Sequence, residues 1–350
     1  MRILGIETSC DETAAAVVED GRTVLGEVVA SQDRLHEPYG GVVPEIACRA
    51  HLSTLLPAIL EIIQRAGLRR EDLDAVAVTS QPGLIGALLI GVTTAKAISW
   101  LYDLPLVPVN HLEAHVYAAA LSREELPFPC VSLVASGGHT VIFHSRGPCD
   151  HVRLGATQDD AAGEAFDKVA KILGLGYPGG PAIDRAARDG NPHAVEFPRT
   201  WLDPHSLDFS FSGIKTAVLY RVRGQNGTAP PARLEAREIA DLAASFQEAV
   251  VDVLVGKVVM AAERCGVGRV VIGGGVAANS RLRQRLADEC VRRRLDLIMP
   301  PLRYSLDNAA MVAGLGYHLL RSGMTSDLTL DARPTARRCP KPSIARTSQI

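Results

Sequence analysis

Residues 110–115 read NHLEAH, which sets His111 and His115 four positions apart with Glu113 between them. On a helix the two imidazoles lie one above the other on the same face, within reach of a single ion. The zinc-peptidase pattern H-E-x-x-H puts its general base directly beside the first histidine. Here the order is H-L-E-A-H, so Glu113 turns off the metal-facing side and peptide hydrolysis is disfavoured, while metal binding survives. Two polar residues at a helix start are the plain alternative. A third ligand improves the metal reading: Asp307, in YSLDNAAM, opens the last helix, where its side chain is easily aimed into a cleft. Two histidines and one carboxylate with open positions suit iron(II) or catalytic zinc.

Two turns offer anion chemistry. In GIETSCDET, Thr8 to Glu12 bring hydroxyls, a thiol, two carboxylates and backbone amides into one strand-to-strand turn, and ASGGHT, Ala135 to Thr140, repeats that geometry later in the chain. Adjacent glycines let amides approach an anion, so two such turns facing each other would clamp a phosphate chain. A third cluster, VVIGGGVAAN, loosely fits a dinucleotide fingerprint, but Asp296 precedes the apolar LIM where the acidic partner should follow it. The cluster reads better as Gly273 to Gly275 making room for a nucleoside, with Asn279 at the helix start available to hydrogen-bond it. GALLIGVT lacks the P-loop lysine, and helix packing suffices to explain Gly86 and Gly91. Asp167 and Asp184 flank GYPGGP, where they serve either as caps or as partners for hydroxyls and an ammonium group.

The elements that must carry these residues follow from the hydrophobic pattern. Short β-rich runs (RILGIET, TAAAVVE, VLGEVVAS) are followed by a helix over about Leu52 to Ala66, the strand AVAVTS, a helix over about Gly86 to Tyr102 and the strand LPLVPVN. Near Pro127 the pattern restarts with a strand pair, PCVSLVAS and TVIFHSR, around the GGH turn. Helices follow, including a long one from Leu234 to Cys265, then the strands RVVIGGG and LDLIMP and a last helix from Asp307 to Arg321. The repeat predicts a duplicated α/β architecture with an interlobe cleft: residues 1–126, completed by the last helix at 305–325, form the first lobe and 127–304 the second. A Pro- and Arg-containing stretch, 326–350, reads as a disordered tail.

Composition sets the limits. The 350 residues are 47% apolar and 22% charged, with 37 basic against 39 acidic side chains, so no global field draws the chain to nucleic acid and any RNA contact is local. Candidate patches are Arg292, Arg293 and Arg294, the tail residues Arg333, Arg337 and Arg338, and the group Lys215, Arg221 and Arg223. Seven cysteines without a single C-x-x-C fit a reducing cytoplasm. The longest apolar run, Leu84 to Val92, is glycine-broken, and no membrane span is expected.

Taken together, GIETSCDET, GGVVPEIACRAH, NHLEAH, ASGGHT, GEAFDKVAKILGLGYPGGP, FSFSGIKTA, GGGVAAN and DNAAM resemble, in order and over nearly the whole chain, the universal tRNA threonylcarbamoyltransferase family, TsaD in bacteria. The resemblance implies the actin-like, Hsp70-like ATPase (ASKHA) fold of two RNase H-like lobes. It also implies transfer of a threonylcarbamoyl group from threonylcarbamoyl-AMP to the exocyclic amine of the adenosine 3′ of the anticodon, in tRNAs reading codons that begin with A. By motif, His111, His115 and Asp307 would hold iron, or zinc, and Val134, Ala135, Ser136, Gly137, Gly138, Asp167, Gly180, Asp184 and Asn279 would bind the donor. Expected partners are tRNA, a related pseudo-enzyme (TsaB-like) and a small P-loop ATPase (TsaE-like). Family members often carry Cys-Thr before the Asp-Asn where this chain has Ser305-Leu306. Glu12 is the candidate for assisting proton removal from the amine. The rival readings are an ATP-dependent kinase or ATPase of the same fold, a metalloendopeptidase, and a nucleotide-gated scaffold.

Overall fold

The computed structural model describes residues 1–121, 123–224 and 234–335. Strands β1 (Arg2–Glu7), β2 (Glu12–Glu19) and β3 (Thr23–Ser31) form an antiparallel meander. The chain then runs through α1 (Asp33–His36) and α2 (Pro44–Arg65) to β4 (Ala75–Gln81), and through α3 (Ile85–Tyr102) to β5 (Leu106–Asn110). Helix α4 (His111–Tyr117) begins without a linker. The strand order is β3-β2-β1-β4-β5, with β4 parallel to β1 and β5 parallel to β4.

The second lobe repeats this plan. Strands β6 (Cys130–Ala135), β7 (Thr140–Gly147) and β8 (Asp150–Ala156) make the meander, followed by α5 (Ala162–Leu173), α6 (Gly179–Ala186), α7 (Ser212–Arg223) and α8 (Ala236–Cys265). Then come β9 (Arg269–Gly273), α9 (Ser280–Arg293) and β10 (Asp296–Ile298), giving the order β8-β7-β6-β9-β10 with β9 and β10 parallel to β6. After α10 (Leu302–Ser305), helix α11 (Ala309–Arg321) packs on β1, β2 and β4 of the first sheet.

The local causes are plain. Strands β1 and β2 are buried on both faces, so they read as unbroken apolar runs with no alternation. Helix α2 starts at Pro44, well before the expected Leu52, because Pro44 suits the first helical position and Glu45 suits the positive end of the helix, whereas the apolar periodicity begins only later. Helix α8 opens on a capping box between Glu235 and Glu238 and ends at Gly266 in the left-handed region. Strand β8 was not expected, since its half-buried edge position tolerates Asp150, His151 and Arg153 and hides the strand signal.

Helices α2 and α3 are long and apolar enough to cross a membrane by length and composition, although no unbroken apolar run suggests it. Part of that hydropathy belongs to inner faces buried on the first sheet (Leu55, Ile59 and Ile62; Leu88, Val92 and Ala95), and part stays exposed at Leu52, Leu56, Leu60, Trp100 and Leu101. The stretch after Ser326 is not disordered as far as residue 335. Ser326 bridges to Leu106, Leu330 and Ala332 pack into the first-lobe core, and Arg333 N–H donates to Ser80 O. Leu330 and Ala332, two positions apart, supply the apolar contact that its proline and charge content masked. Residues 336–350 lie outside the described residues.

Candidate functional site

The cleft is built around α4. Asn110 caps it, its Oδ1 accepting from Leu112 N–H at 2.9 Å, so the histidine pair begins the helix and both rings project from one face with centroids 4.6 Å apart. Helix α4 also packs against β6 and β9 of the other lobe, which buries His111 and His115 between the sheets. Asp307 arrives from the far end of the chain, just ahead of Asn308, which caps α11. Its Oδ1 lies 3.0 Å from His115 Nε2 and 3.5 Å from His111 Nε2, so the three predicted ligands converge.

Behind His111 stands Glu7, the last residue of β1 and fully buried. It accepts from Ser9 N–H and from the Thr79 hydroxyl, both at 2.6 Å, and His111 Nδ1 lies 3.0 Å from its Oε2. Burial alone would raise the Glu7 carboxyl, but the charge on His111 and the Thr79 hydroxyl bring it below its ordinary value. Burial opposes the charge on His111 too, yet Asp307 and Glu7 outweigh it and hold the imidazole at about 9. His115 is lowered by burial and by the His111 charge. Asp307, which burial would raise, is held well below the carboxylate range by both histidines. Two buried carboxylates facing two imidazoles require a cation, since an unpaired buried charge is expensive. A proton on His111 meets that need in part. A divalent ion among two imidazole nitrogens and a carboxylate oxygen meets it fully, so the donor set fits a metal.

Glu12 opens β2 and faces the same centre. Burial, then Asp307 and Asp11, push its carboxyl well above the ordinary range, and it clusters with Asp11 and Asp33. Glu113 turns away as expected, taking a hydrogen bond from Asn110 Nδ2 at 3.2 Å.

Across the cleft, Val134 and Ala135 end β6, and the Ser136–Gly138 turn is closed by Ser136 N–H to His139 O at 2.8 Å, with Gly137 and Gly138 bordering open space. His139, which the sequence reading passed over, neighbours the ligand set, where burial and the His111 charge push it down to about 4. Asp167, within α5, holds the start of α6, its Oδ1 accepting from Gly179 N–H at 2.7 Å, and burial raises it to about 6. Gly180 borders open space beside it. Asp184 accepts from Ser280 Oγ at 2.7 Å and from Asn279 Nδ2 at 3.3 Å.

Asn279 is not the free hydrogen-bonding group expected. Its Oδ1 caps α9 through Leu282 N–H at 2.9 Å, and Nδ2 donates to Gln247 Oε1 at 2.7 Å as well as to Asp184, which occupies both amide hydrogens. Nor do Gly273 and Gly274 simply make room for a nucleoside. A Cβ on the first would meet His115 O at 2.5 Å and one on the second Ala135 O at 2.4 Å, so these glycines let β9 and its following turn lie against α4 and β6. Gly91 likewise serves packing, abutting the Thr8 hydroxyl. Glu7, Tyr177 and His139 are site neighbours that the sequence did not single out, whereas Ser9 belongs to the Thr8–Glu12 turn already noted. The one signal for Glu7 was a carboxylate closing an otherwise apolar strand.

The architecture and the sequence as a whole are similar to those of known proteins. The solved structure of full-length HypF in its phosphate- and nucleotide-bound form is similar to 93% of this chain over 47% of its own length, with a TM-score of 0.59 at 14% identity, a likeness of fold alone. That fold is the two-lobed, actin-like ATPase type. The tRNA N6-adenosine threonylcarbamoyltransferase of Syntrophobacter fumaroxidans is 54% identical over 335 residues, covering 95% of this chain and 99% of the relative. The enzyme of the same name from Sorangium cellulosum is 52% identical over 350 residues, covering 96% of each. The model of the TsaD family, tRNA N6-adenosine threonylcarbamoyltransferase, matches residues 23–314, and the chain belongs to that family.

Proposed function

We propose that this transferase takes its threonylcarbamoyl group from threonylcarbamoyl-AMP and delivers it to the adenosine 3′ of the anticodon in tRNAs reading codons that begin with A. The observation that carries the reading is the convergence of His111, His115 and Asp307 in the cleft that separates the Thr8–Glu12 turn from the Ser136–Gly138 turn. The metal is iron(II), with zinc the alternative for the same donor set. Bound there, it supplies Lewis acidity toward the donor's carbonyl.

The chain's own groups do the rest. Amides of the Val134–Gly138 segment hold the donor phosphate, while Asp167, Gly180, Asp184 and the Asn279–Gln247 pair shape the wall on which the nucleoside rests. The N6 amine forms a bond to the carbamoyl carbon as the carbon–oxygen bond to AMP breaks, and the amine proton passes to Glu12. A carboxylate raised by burial and neighbouring acids is a stronger base once it has lost its proton, and a cation on Asp307 offsets the repulsion that raises it.

The exposed apolar stripe Leu52, Leu56 and Leu60 on α2, beside Trp100 and Leu101 on α3, supports docking of the related TsaB-like subunit, with a TsaE-like ATPase completing the set. Six free cysteines among the described residues suit a cytoplasmic location.

The test is turnover. The purified chain loaded with iron(II), given its partners, tRNA and synthetic threonylcarbamoyl-AMP, should release AMP as tRNA gains the modification. His115→Ala should lose both the ion and the transfer while melting as a folded protein. Full metal content in His115→Ala, or transfer that proceeds without the chain, would sink the reading.

A further inference from the structure

We infer that Glu7 is a positioning residue of the metal centre, fixing the proton of His111 on Nδ1 so that Nε2 is the atom presented to the ion. The inference rests on the reading of His111, His115 and Asp307 as ligands. Every contact of the buried Glu7 carboxylate other than the imidazole is with a donor: Ser9 N–H at Oε1, and the Thr79 hydroxyl at Oε2, both at 2.6 Å. Nδ1 of His111 sits 3.0 Å from that same Oε2. A carboxylate only accepts, so an unprotonated Nδ1 would set two lone pairs against each other, and the contact is stable only when Nδ1 carries the hydrogen. An ion displaces the Nε2 hydrogen of the charged ring, which faces Asp307 Oδ1 at 3.5 Å, while the Nδ1 hydrogen stays on Glu7, so Nε2 is the nitrogen whose lone pair is freed.

The two histidines are not equivalent in this respect. His115 also turns Nε2 toward Asp307, at 3.0 Å, but its Nδ1 is buried with no hydrogen-bond partner among the described residues. Only His111 is gripped from behind. Ser9 Oγ, 3.2 Å from His111 Nδ1, is the competing acceptor. It is the weaker one, because a hydrogen bond to an ionised acceptor is shorter and stronger than one to a neutral hydroxyl. The carboxylate thereby sets ring rotation, tautomer and basicity of one ligand, three properties that decide how tightly an open three-ligand site holds its ion.

Cobalt(II) serves as the probe. In the cobalt-loaded parent, the His111 Nδ1 hydrogen should give a hyperfine-shifted, slowly exchanging N–H resonance. Glu7→Gln and Glu7→Ala should weaken cobalt affinity, read by competition with a chelator, by roughly 10–100-fold and should move or abolish that resonance. Ser9→Ala should change the affinity by less than about threefold, the loss of a weaker, neutral contact. His115→Ala, the control, should hold no ion. Parent affinity in Glu7→Gln alongside an ion-free His115→Ala overturns the inference and spares the triad. An ion retained in His115→Ala overturns both. Should neither Glu7 variant fold, the parent spectrum decides, and absence of the shifted N–H counts against the inference.

Discussion

The hydroxyl of Tyr177, from the second lobe, donates to Asp11 Oδ2 of the first at 3.3 Å, a side-chain contact that bridges the cleft beside the acidic turn. A bond of this length, part-buried and with a carboxylate acceptor, is worth about 1 kcal/mol. Removing it should ease opening of the lobes without disturbing either core. Tyr177→Phe should therefore weaken AMP binding about three- to tenfold and leave the melting temperature within a few degrees of the parent. Calorimetric titration with AMP checks this, and unchanged affinity would mean that the contact does not hold the bound state.

Asn279 combines a helix cap with a polar bridge, and the two roles can be separated. Asn279→Ser keeps a capping oxygen but drops the amide that joins Gln247 to Asp184, so stability should stay near the parent while donor affinity falls. Asn279→Ala should lose about 1 kcal/mol more in urea unfolding from the missing cap. Equal stability in both variants would refute the capping part.

Asp167 gives a pH signature. Burial raises it from 3.8 to about 6, so between those values the folded chain keeps a proton that the unfolded chain has released. Its contribution to stability therefore falls as pH rises from about 4 to 6 and is constant above. Asp167→Asn retains the acceptor for Gly179 N–H and removes the titration. The variant should gain on the parent by roughly 2 kcal/mol across that window, after allowance for partial exposure. A difference that is flat with pH would show that the carboxyl is not held protonated.

Of the basic patches, Arg292 to Arg294 are now poor candidates for the RNA path. Arg292 pairs with Glu289, Arg293 with Glu289 and Glu263, and all sit at the far end of α9, about 20 Å along the helix from Asn279. Neutralising the three should leave tRNA affinity within about twofold and its salt slope unchanged. A slope reduced by one or more units would restore the cluster. Lys215 is paired with Asp160 at 3.8 Å, and Arg337 and Arg338 lie outside the described residues.

Much of this was legible because the informative patterns were local. The histidine spacing, the two turns and the restart near Pro127 each depend on a few neighbouring residues, and His111 with His115 could be read from helix periodicity alone. Long-range pairing was not legible. Glu7 acts on a residue 104 positions away, and nothing near it in the chain hints at His111. Asn279 misled for the same reason, since its partners Gln247 and Asp184 lie on other helices. The segment at 326–335 was misread because composition argued for disorder while a short apolar alternation, too brief to register as a strand, docked it.

Helix α11 lies directly on the backbone of β1: a Cβ at Gly5 would meet Ala309 O at 2.4 Å. Ile3, Ala14, Ala16, Ala77 and Val109 share a core with Met311, Val312 and Leu315, so strands made early are sealed by a helix made after both sheets are complete. On the ribosome, the second lobe has all its strands before the first lobe has its cover, and Asp307 reaches the two histidines last of the three. The cluster of His111, His115 and Asp307 is thus a late product of translation, and a chain stalled before residue 307 emerges carries the histidine pair without its carboxylate.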